Sequence, residues 1–410
     1  MLGVTLSAAV WRDTSNGRDD VQTGDTTAPA STDTSPPTNP SDPTDASPAA
    51  QAPATEAPGT APSAGDPDPT TAEPGSDDVA CVADDWGLRR RMAQLLMVGV
   101  APSGTADARR SITYDEVGGI FIGESPTELL TSGVLPTLTG PDGVAPFVAV
   151  DDEGGRVQRI DELAGDLPSA RALAATKNPA EVERLAAERG RRLAELGVTV
   201  DFAPVVDVSS QPDGAVIGDR SYNSDPAVVT EYAGAFAAGL AEADVLAVYK
   251  HFPGHGRAEG DSHLRTSTAP PYDELDVDLA PYRALLPGAD RRAAAVMVGH
   301  LVVPGLTNDL PASVSPEAVD GLLRDELAFD GLVFSDDLGG MAAITDRFDP
   351  SEAVRLALVA GIDVPLISNP TDVGSIIDRL EADVADGSLP PATVDGALQR
   401  ILRTKGHACG

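Results

Sequence analysis

The stretch VLAVYKH, residues 245–251, begins as an apolar β-strand and ends in a lysine and a histidine. A continuous apolar run of this length is typical of a strand in a parallel sheet that is covered on both faces. Burying a charge at the end of such a strand is costly unless the charge faces a solvated cavity or a partner. We therefore expect Lys250 and His251 to face a functional cavity.

The same kind of run recurs along the chain. The other predicted strands are residues 94–100, 117–123, 146–152, 198–208, 295–303, 331–337 and 362–368. Segments with helical periodicity separate most of them, such as residues 179–197 and 225–243, and each begins with a proline at or near its first turn. Eight strand-plus-helix units predict an α/β fold, a single (β/α)8 TIM-type barrel.

A doubly wound open sheet is the alternative, and the polar strand ends favour the barrel. Five consecutive predicted strands end in polar side chains: Asp151 and Asp152, Asp207, Lys250 and His251, His300, and Asp336 and Asp337. Solvent-facing or helix-capping charges would explain one such strand end better than five in a row. In a barrel these ends meet at the face that carries the active site.

Composition divides the chain into three parts. Residues 1–12 are apolar but too short to span a bilayer, and we interpret them as the remnant of an export signal. Residues 13–83 are rich in Thr, Pro, Ala and Asp and should form a disordered linker, which leaves residues 84–410 for the barrel. This organisation predicts a protein outside the cytoplasm, either secreted or associated with the cell envelope.

The net charge limits the kinds of partner that the protein can bind, and the cysteines indicate its redox compartment. A net charge of −35 argues against binding to nucleic acid or anionic lipid. Cys81 and Cys409 lie at opposite ends of the predicted barrel, and we predict a disulfide between them, which requires an oxidising compartment. Two unpaired thiols in frayed ends are the alternative.

The loop after the fifth predicted strand, KHFPGHGRAEGDSH (250–263), contains three of the chain's five histidines. His251, His255, Asp261 and His263 could together bind a metal, so a metal-dependent barrel hydrolase is one interpretation. The Pro-Gly pair between the first two histidines interrupts the helical spacing that such ligands often use. We therefore expect no metal and no other cofactor.

A glycosidase needs a nucleophile and a proton donor on opposite sides of the scissile bond. Asp336, at the end of a rigid strand, is the predicted nucleophile, and strand alternation should turn Asp337 away. His263 is the predicted acid/base, with Asp261 orienting its ring.

These motifs, taken in order, resemble a known family. YKHFPGHGRAEGDSH, VDDEGGRVQR, FAPVVDV, VIGDRSY and GLVFSDDL are similar to the single-domain β-N-acetylglucosaminidases of glycoside hydrolase family 3. The resemblance implies a retaining, two-step mechanism in which a His/Asp dyad on a loop acts as acid/base.

The resemblance also implies a sugar-binding set. Its members are Asp151, Arg159, Arg220, Lys250 and His251. Asp152 stands where the family usually has Gln, and we expect it to face away from the sugar. His255 either shapes the loop or contacts substrate.

The resulting hypothesis is an exo-β-N-acetylglucosaminidase that removes terminal GlcNAc from β-linked saccharides. The linker resembles those of exported Gram-positive proteins, which points to muropeptides as substrate and to cell-wall association, and we also expect a monomer. The alternatives are a phosphorylase that transfers the sugar to phosphate and an inert wall-binding module. A sugar phosphate product would identify the first, and the intact catalytic set argues against the second.

Overall fold

A computed structural model describes residues 81–124, 128–288, 294–369 and 372–407. The predicted export-signal remnant and residues 13–80 of the predicted linker lie outside these ranges. Cys81, Val82 and Ala83, which the sequence analysis assigns to the linker, pack against the hydrophobic core. The folded unit therefore begins at or before Cys81.

Eight parallel strands close into a barrel, which confirms the predicted fold and excludes the open sheet. The barrel strands are β1 (Met97–Gly99), β2 (Gly119–Ile122), β3 (Phe147–Val150), β4 (Val200–Asp201), β5 (Leu246–Phe252), β7 (Ala294–Val298), β9 (Val333–Asp337) and β10 (Val364–Ile367). Strand β10 closes the barrel by pairing with β1. Two short strands, β6 (Ser267–Thr268) and β8 (Leu301–Val302), pair separately.

Helices follow the strands around the barrel. They are α1 (Leu88–Leu95), α2 (Thr105–Thr113), α3 (Glu128–Thr131), α4 (Asp161–Ala164), α5 (Ala170–Thr176), α6 (Pro179–Glu195), α7 (Pro226–Ala241), α8 (Asp276–Leu285), α9 (Ala342–Thr345), α10 (Pro350–Val359), α11 (Val373–Asp386) and α12 (Pro391–Thr404), with a π-helix at Glu317–Glu326. The start of α6 follows from local chemistry, because Asn178 and Glu181 form a reciprocal capping box around Pro179. Within the described ranges, no helix has the length and apolar character needed to cross a bilayer.

Aromatic rings fill part of the barrel interior. The ring centroid of Phe202 lies 5.5 Å from that of Phe121 and 5.4 Å from that of Phe334. Phe147, at the start of β3, lies 6.2 Å from Phe334 in an edge-on arrangement. Such pairs add to the free energy gained from burial alone. The interior is therefore a packed core, and polar side chains are left to the strand ends.

Seven of the eight predicted strands are shorter in the structure, and two of them need a specific explanation. Only Val200–Asp201 of residues 198–208 forms a barrel strand, because Pro204 has no N–H to donate to a ladder. The chain beyond it stays beside β5, where the Val206 amide donates to the Lys250 carbonyl at 2.8 Å. The predicted strand 295–303 divides into β7 and β8, and His300 lies in the break between them.

Lys405, just after α12, is largely buried where the barrel strands begin. Its Nζ donates to the carbonyl of Gly118 at 2.8 Å and lies 4.7 Å from the centre of the Phe147 ring. Burial lowers the pKa of Lys405 to about 7. Because the folded pKa is below the unfolded value, this lysine destabilises the fold fully below about pH 7, and the penalty declines as pH rises toward 10.5.

We expect Lys405→Met to stabilise the protein more at pH 6 than at pH 9, by about 1 kcal/mol or more. Thermal unfolding of variant and wild type at both pH values measures this difference. Lys177 is exposed, so Lys177→Met is the matched control and should show no such pH dependence. Equal shifts for Lys405→Met at the two pH values would contradict the buried-charge account.

Candidate active site

Lys250 is the centre of an ion-pair cluster at the carboxyl ends of the barrel strands. Its Nζ lies 2.6 Å from Oδ1 of Asp151 and 2.5 Å from Oε1 of Glu153. The Arg220 guanidinium donates two hydrogen bonds of 2.8 Å to the two carboxylate oxygens of Glu153. The structure thus brings together three of the predicted sugar-binding residues, Asp151, Arg220 and Lys250.

Three groups of this cluster, Glu153, Lys250 and Arg220, are held in their charged forms by their neighbours. Burial alone would raise the pKa of Glu153, but Arg220 and Lys250 hold it well below its usual range. Burial opposes the charge on Lys250 and Arg220 too, yet the adjacent carboxylates raise the pKa of both. Lys250, Arg220 and Glu153 therefore present fixed charges at the mouth of the barrel.

Sequence reasoning missed Glu153 as a site residue, although it lies in the motif VDDEGGRVQR. The available signal was a third acid directly after the predicted strand that ends in Asp151 and Asp152. The structure shows its importance, because its side chain is only 4% exposed and neutralises both Lys250 and Arg220.

We expect Glu153→Gln to lower the free energy of unfolding by about 3 kcal/mol, because it leaves two buried cations with one carboxylate fewer. Denaturant unfolding at neutral pH measures the loss. Glu242 is exposed at the end of α7, and Glu242→Gln should change stability by no more than about 0.5 kcal/mol. A Glu153→Gln variant as stable as that control would show that the ion pairs contribute no net stability.

Asp207 orients the first part of the histidine loop. Its Oδ2 lies 2.7 Å from Nδ1 of His251, and its Oδ1 accepts a 2.6 Å hydrogen bond from the amide of His255. Arg220 Nη2 lies 3.3 Å from Nε2 of His251. Since a guanidinium only donates, Nε2 accepts there, and Nδ1–H of His251 donates to Asp207.

His255 is buried, and its Nε2 lies 3.4 Å from Oγ of Ser262. Burial lowers the pKa of His255, which favours the neutral ring. Of the two roles left open by the sequence, these contacts within the loop favour the shaping of the loop.

Asp337 turns away from the mouth of the barrel, as strand alternation predicts. Its Oδ1 accepts hydrogen bonds from the amides of Gly339 (2.9 Å) and Ser368 (2.8 Å), and its Oδ2 accepts one from the Ser368 hydroxyl. These bonds tie Asp337 to the turn after β9 and to the end of β10.

Asp336 is the carboxylate left at the end of β9. Burial raises the pKa of Asp336, but the nearby rings of His300, His251 and His263 and the hydrogen bond from the Asp337 amide outweigh that effect and hold the pKa below its usual value. The carboxylate is therefore ionised at any pH near neutrality, which is the state a nucleophile needs.

His263 and Asp261 form the predicted dyad. His263 Nδ1 lies 2.9 Å from Asp261 Oδ1, and that oxygen also accepts the His263 amide at 3.0 Å. Partial burial raises the pKa of Asp261, but the hydrogen bonds from His263 outweigh it and lower the pKa below its usual value. The Ala343 amide donates to the Ser262 carbonyl at 3.1 Å, so the dyad loop lies against the segment that follows Asp336.

His300 supports the backbone beside Asp336. Its Nε2 lies 2.9 Å from the carbonyl oxygen of Asp337, and its Nδ1 lies 2.7 Å from the Ser313 hydroxyl. A carbonyl can only accept, so Nε2–H donates to it, and since burial lowers the pKa of His300 and favours the neutral ring, Nδ1 accepts from the Ser313 hydroxyl. The sequence marked His300 as a polar strand end and gave it no role.

Asp152 faces away from this cluster, as expected. It is fully buried and accepts hydrogen bonds from Arg189 Nε at 2.5 Å and Nη2 at 3.1 Å. Its Oδ1 also accepts the amide of Arg159 at 2.7 Å, and Arg159 Nη1 donates to the Gln158 carbonyl. The predicted sugar contact of Arg159 stays a prediction.

The sequence analysis also made predictions about a metal site and about a disulfide. In the part of the chain that the structure describes, no cluster of three or more His, Cys, Asp or Glu side chains is arranged to hold a metal ion. Cys409 lies outside the described residues, so its disulfide with Cys81 stays a prediction.

Comparison with known proteins agrees with the fold and with the geometry of the site. The family model described as glycosyl hydrolase family 3 N terminal domain matches residues 87–404. The β-hexosaminidase LpqI of Mycobacterium tuberculosis is 50% identical over 332 residues, which cover 78% of this chain and 84% of that protein.

Two solved structures are similar to this chain in both sequence and fold. A glycosyl hydrolase of the GH3 family from Mycobacterium smegmatis is 50% identical, with a TM-score of 0.74 and coverage of 78% of this chain and 98% of the other. The β-N-acetylhexosaminidase of Beutenbergia cavernae is 32% identical, with a TM-score of 0.70 and coverage of 78% and 99%.

Proposed function

The chain belongs to glycoside hydrolase family 3, and from that premise we propose that it is a retaining exo-β-N-acetylglucosaminidase that acts through a covalent glycosyl-enzyme. The relatives named above are hexosaminidases or hydrolases of this family, and none is described as a phosphorylase. The observation that carries the proposal is an ionised carboxylate, Asp336, beside a loop that holds the His263–Asp261 pair.

The first step divides bond making and bond breaking between these residues. A carboxylate oxygen of Asp336 attacks the anomeric carbon while His263, as imidazolium, gives its Nε2 proton to the departing glycosidic oxygen. The C–O bond to the leaving saccharide breaks, and an ester between Asp336 and the sugar forms. Asp261 holds Nδ1–H and stabilises the imidazolium before transfer.

The second step returns both residues to their starting states. Neutral His263 takes a proton from water through Nε2, and the water oxygen attacks the anomeric carbon. Asp336 leaves as a carboxylate, which its low pKa favours. Two displacements at one carbon retain its configuration.

The ion-pair cluster is proposed to bind the sugar hydroxyls. Asp151 is its most exposed member, with 20% of its side chain accessible against 12% for Arg220 and 3% for Lys250. Asp151 is thus the group best placed to accept hydroxyl protons, with Lys250 fixing its orientation. Arg159 and His251 are proposed as further sugar contacts.

Peptidoglycan fragments are the proposed natural substrate, with action outside the cytoplasm, cell-wall association and a monomeric state. The Thr/Pro-rich composition of residues 13–83 supports the location outside the cytoplasm, because such stretches are typical of linkers in exported proteins. The linker would separate the barrel from an attachment point.

The test of the activity is hydrolysis of aryl β-glycosides that differ only at carbon 2, with and without phosphate. The N-acetylglucosaminide should be cleaved far faster than the glucoside, and free sugar should be the product in both buffers. Equal rates on the two glycosides would refute the specificity, and sugar phosphate would refute simple hydrolysis.

A further inference from the structure

We propose that Arg156 and Arg171 are positioning residues for sugar binding, and that they act by fixing the backbone that leads into Arg220. The inference rests on the proposed function, because it assumes that Arg220 contacts the sugar. Neither arginine belongs to the predicted site. Both instead donate to main-chain carbonyls of residues 209–218, here called the carbonyl segment.

Arg156 binds the second half of the carbonyl segment. Its Nη1 donates to the carbonyl of Asp213 at 2.5 Å. Its Nη2 donates to three consecutive carbonyls, those of Ala215 (2.5 Å), Val216 (2.9 Å) and Ile217 (3.2 Å). Residues 209–217 form no helix or strand, so these carbonyls need partners from outside regular secondary structure. One guanidinium supplies them.

Arg171 binds the two ends of the same segment. Its Nη1 donates to the carbonyl of Gln211 at 2.8 Å, and its Nη2 donates to those of Gly218 at 2.7 Å and Ser209 at 3.3 Å. Seven carbonyls of the carbonyl segment therefore converge on two arginines. The two side chains together determine the path of this part of the backbone.

The two arginines come from one packed unit. The amide of Gly155, just before Arg156, donates to the carbonyl of Leu167 at 2.7 Å. A Cβ on Gly155 would lie only 2.6 Å from Cβ of Ser169, so a side chain there would push the two strands of this loop apart. The close approach fixes the positions from which the two guanidiniums extend.

The carbonyl segment delivers Arg220 to the ion-pair cluster. Gly218 has a φ of +49°, and a Cβ on it would lie 2.2 Å from the carbonyl oxygen of Asp213, so the chain folds back on itself there. Arg220 follows two residues later and donates to Glu153 at 2.8 Å. The loop after β3 thus holds the loop after β4 twice, through Glu153 on the Arg220 side chain and through Arg156 on the backbone before it.

The two arginines also form ion pairs with this loop. Arg156 Nη1 lies 2.8 Å from Oδ1 of Asp219, and Arg171 Nη1 donates to Oδ1 of Asp213 at 2.6 Å. A lysine could keep such an ion pair. It could not keep the carbonyl contacts, because a guanidinium holds five N–H donors in a rigid plane and an ammonium does not. Substitution by lysine therefore removes the carbonyl contacts and preserves the charge.

A positioning role and a purely structural role predict different kinetics. If the carbonyl segment is loosened, Arg220 must be ordered again each time the sugar binds, which weakens binding of ground state and transition state alike. Such a loss raises KM and leaves kcat unchanged. A purely structural role would reduce the amount of folded enzyme, which lowers the apparent kcat and leaves KM unchanged.

The test measures kcat and KM for nitrophenyl N-acetyl-β-glucosaminide in wild type, Arg156→Lys and Arg171→Lys. Each variant should raise KM about tenfold and change kcat by less than about threefold. Arg184 is exposed on α6 and donates to one carbonyl of its own helix, that of Ala180, at 3.2 Å. Arg184→Lys is therefore the matched control and should leave both constants unchanged.

A combined variant tests the route through Arg220. In an Arg220→Lys background, Arg156→Lys should raise KM by no more than about twofold, because the side chain that it positions is already absent. Penalties that multiply fully in the double variant would show that Arg156 acts elsewhere and would overturn the inference.

The outcomes distinguish this inference from the proposed function. A wild-type KM in both lysine variants, a fall in kcat with KM unchanged, or an equal rise in KM for Arg184→Lys would overturn the inference and leave the proposed function standing. A wild type that does not hydrolyse the substrate would refute the proposed function and this inference with it.

Discussion

Asp336→Ala should lower kcat/KM on every β-N-acetylglucosaminide by on the order of 10⁵-fold or more, because the variant lacks the atom that forms the covalent bond. The barrel should stay folded, since the Asp336 side chain bonds to the amide of its own neighbour, Asp337. Kinetics on an aryl substrate and far-UV circular dichroism measure the two effects.

Asp337→Ala is the matched control for this prediction. Asp337 holds the turn after β9 to Ser368, so its loss should disturb the loop and reduce activity much less than Asp336→Ala does. Added azide should restore turnover to Asp336→Ala, because a small anion can occupy the vacated space, and the product should be the α-glycosyl azide. Full activity of Asp336→Ala, or the larger loss in Asp337→Ala, would move the nucleophile to another residue.

His263→Ala should lose far more activity on a natural disaccharide than on a nitrophenyl glycoside. A sugar alkoxide leaves only when it is protonated, whereas a nitrophenolate leaves without a proton. General acid/base residues typically contribute 10²–10⁴-fold, so we expect a loss of about 10³-fold on the disaccharide. The kcat/KM values of both substrates for variant and wild type measure the difference.

The second step of the reaction, hydrolysis of the glycosyl-enzyme, provides a further check on the role of His263. With the aryl substrate, the variant should form the glycosyl-enzyme quickly and hydrolyse it slowly, which appears as a burst of nitrophenolate. Asp261→Ala should show a milder form of both effects, because the ring remains but loses its partner at 2.9 Å. Equal losses on the two substrates, or wild-type activity that chelation removes and zinc restores, would refute the dyad.

The barrel could be predicted from the sequence because buried parallel strands are continuous apolar runs, and eight of them are visible along the chain. The run 198–208 predicted a strand that is too long, because hydropathy does not show that Pro204 lacks an N–H. The polar strand ends were predictable for a related reason. A polar residue at the end of an apolar strand avoids the cost of burial when it faces the mouth of the barrel, as Asp336 does, or when hydrogen bonds satisfy it elsewhere, as for Asp337.

The pairs that side chains form with one another in the site could not be predicted in the same way. Glu153 does not lie in a barrel strand. Its role depends on Lys250 and Arg220, which are distant in sequence and become its neighbours only after the barrel closes. His300 likewise gains its role from the carbonyl of Asp337.

The central claim is that Asp336 forms a glycosyl ester whose hydrolysis needs His263. It is tested most directly by peptide mapping of His263→Ala, quenched during turnover of nitrophenyl N-acetyl-β-glucosaminide. The account predicts that the peptide containing Asp336 gains the mass of one N-acetylglucosaminyl group, with fragmentation placing it on Asp336. A burst with no adduct, or an adduct on any other carboxylate, Asp337 included, would contradict it.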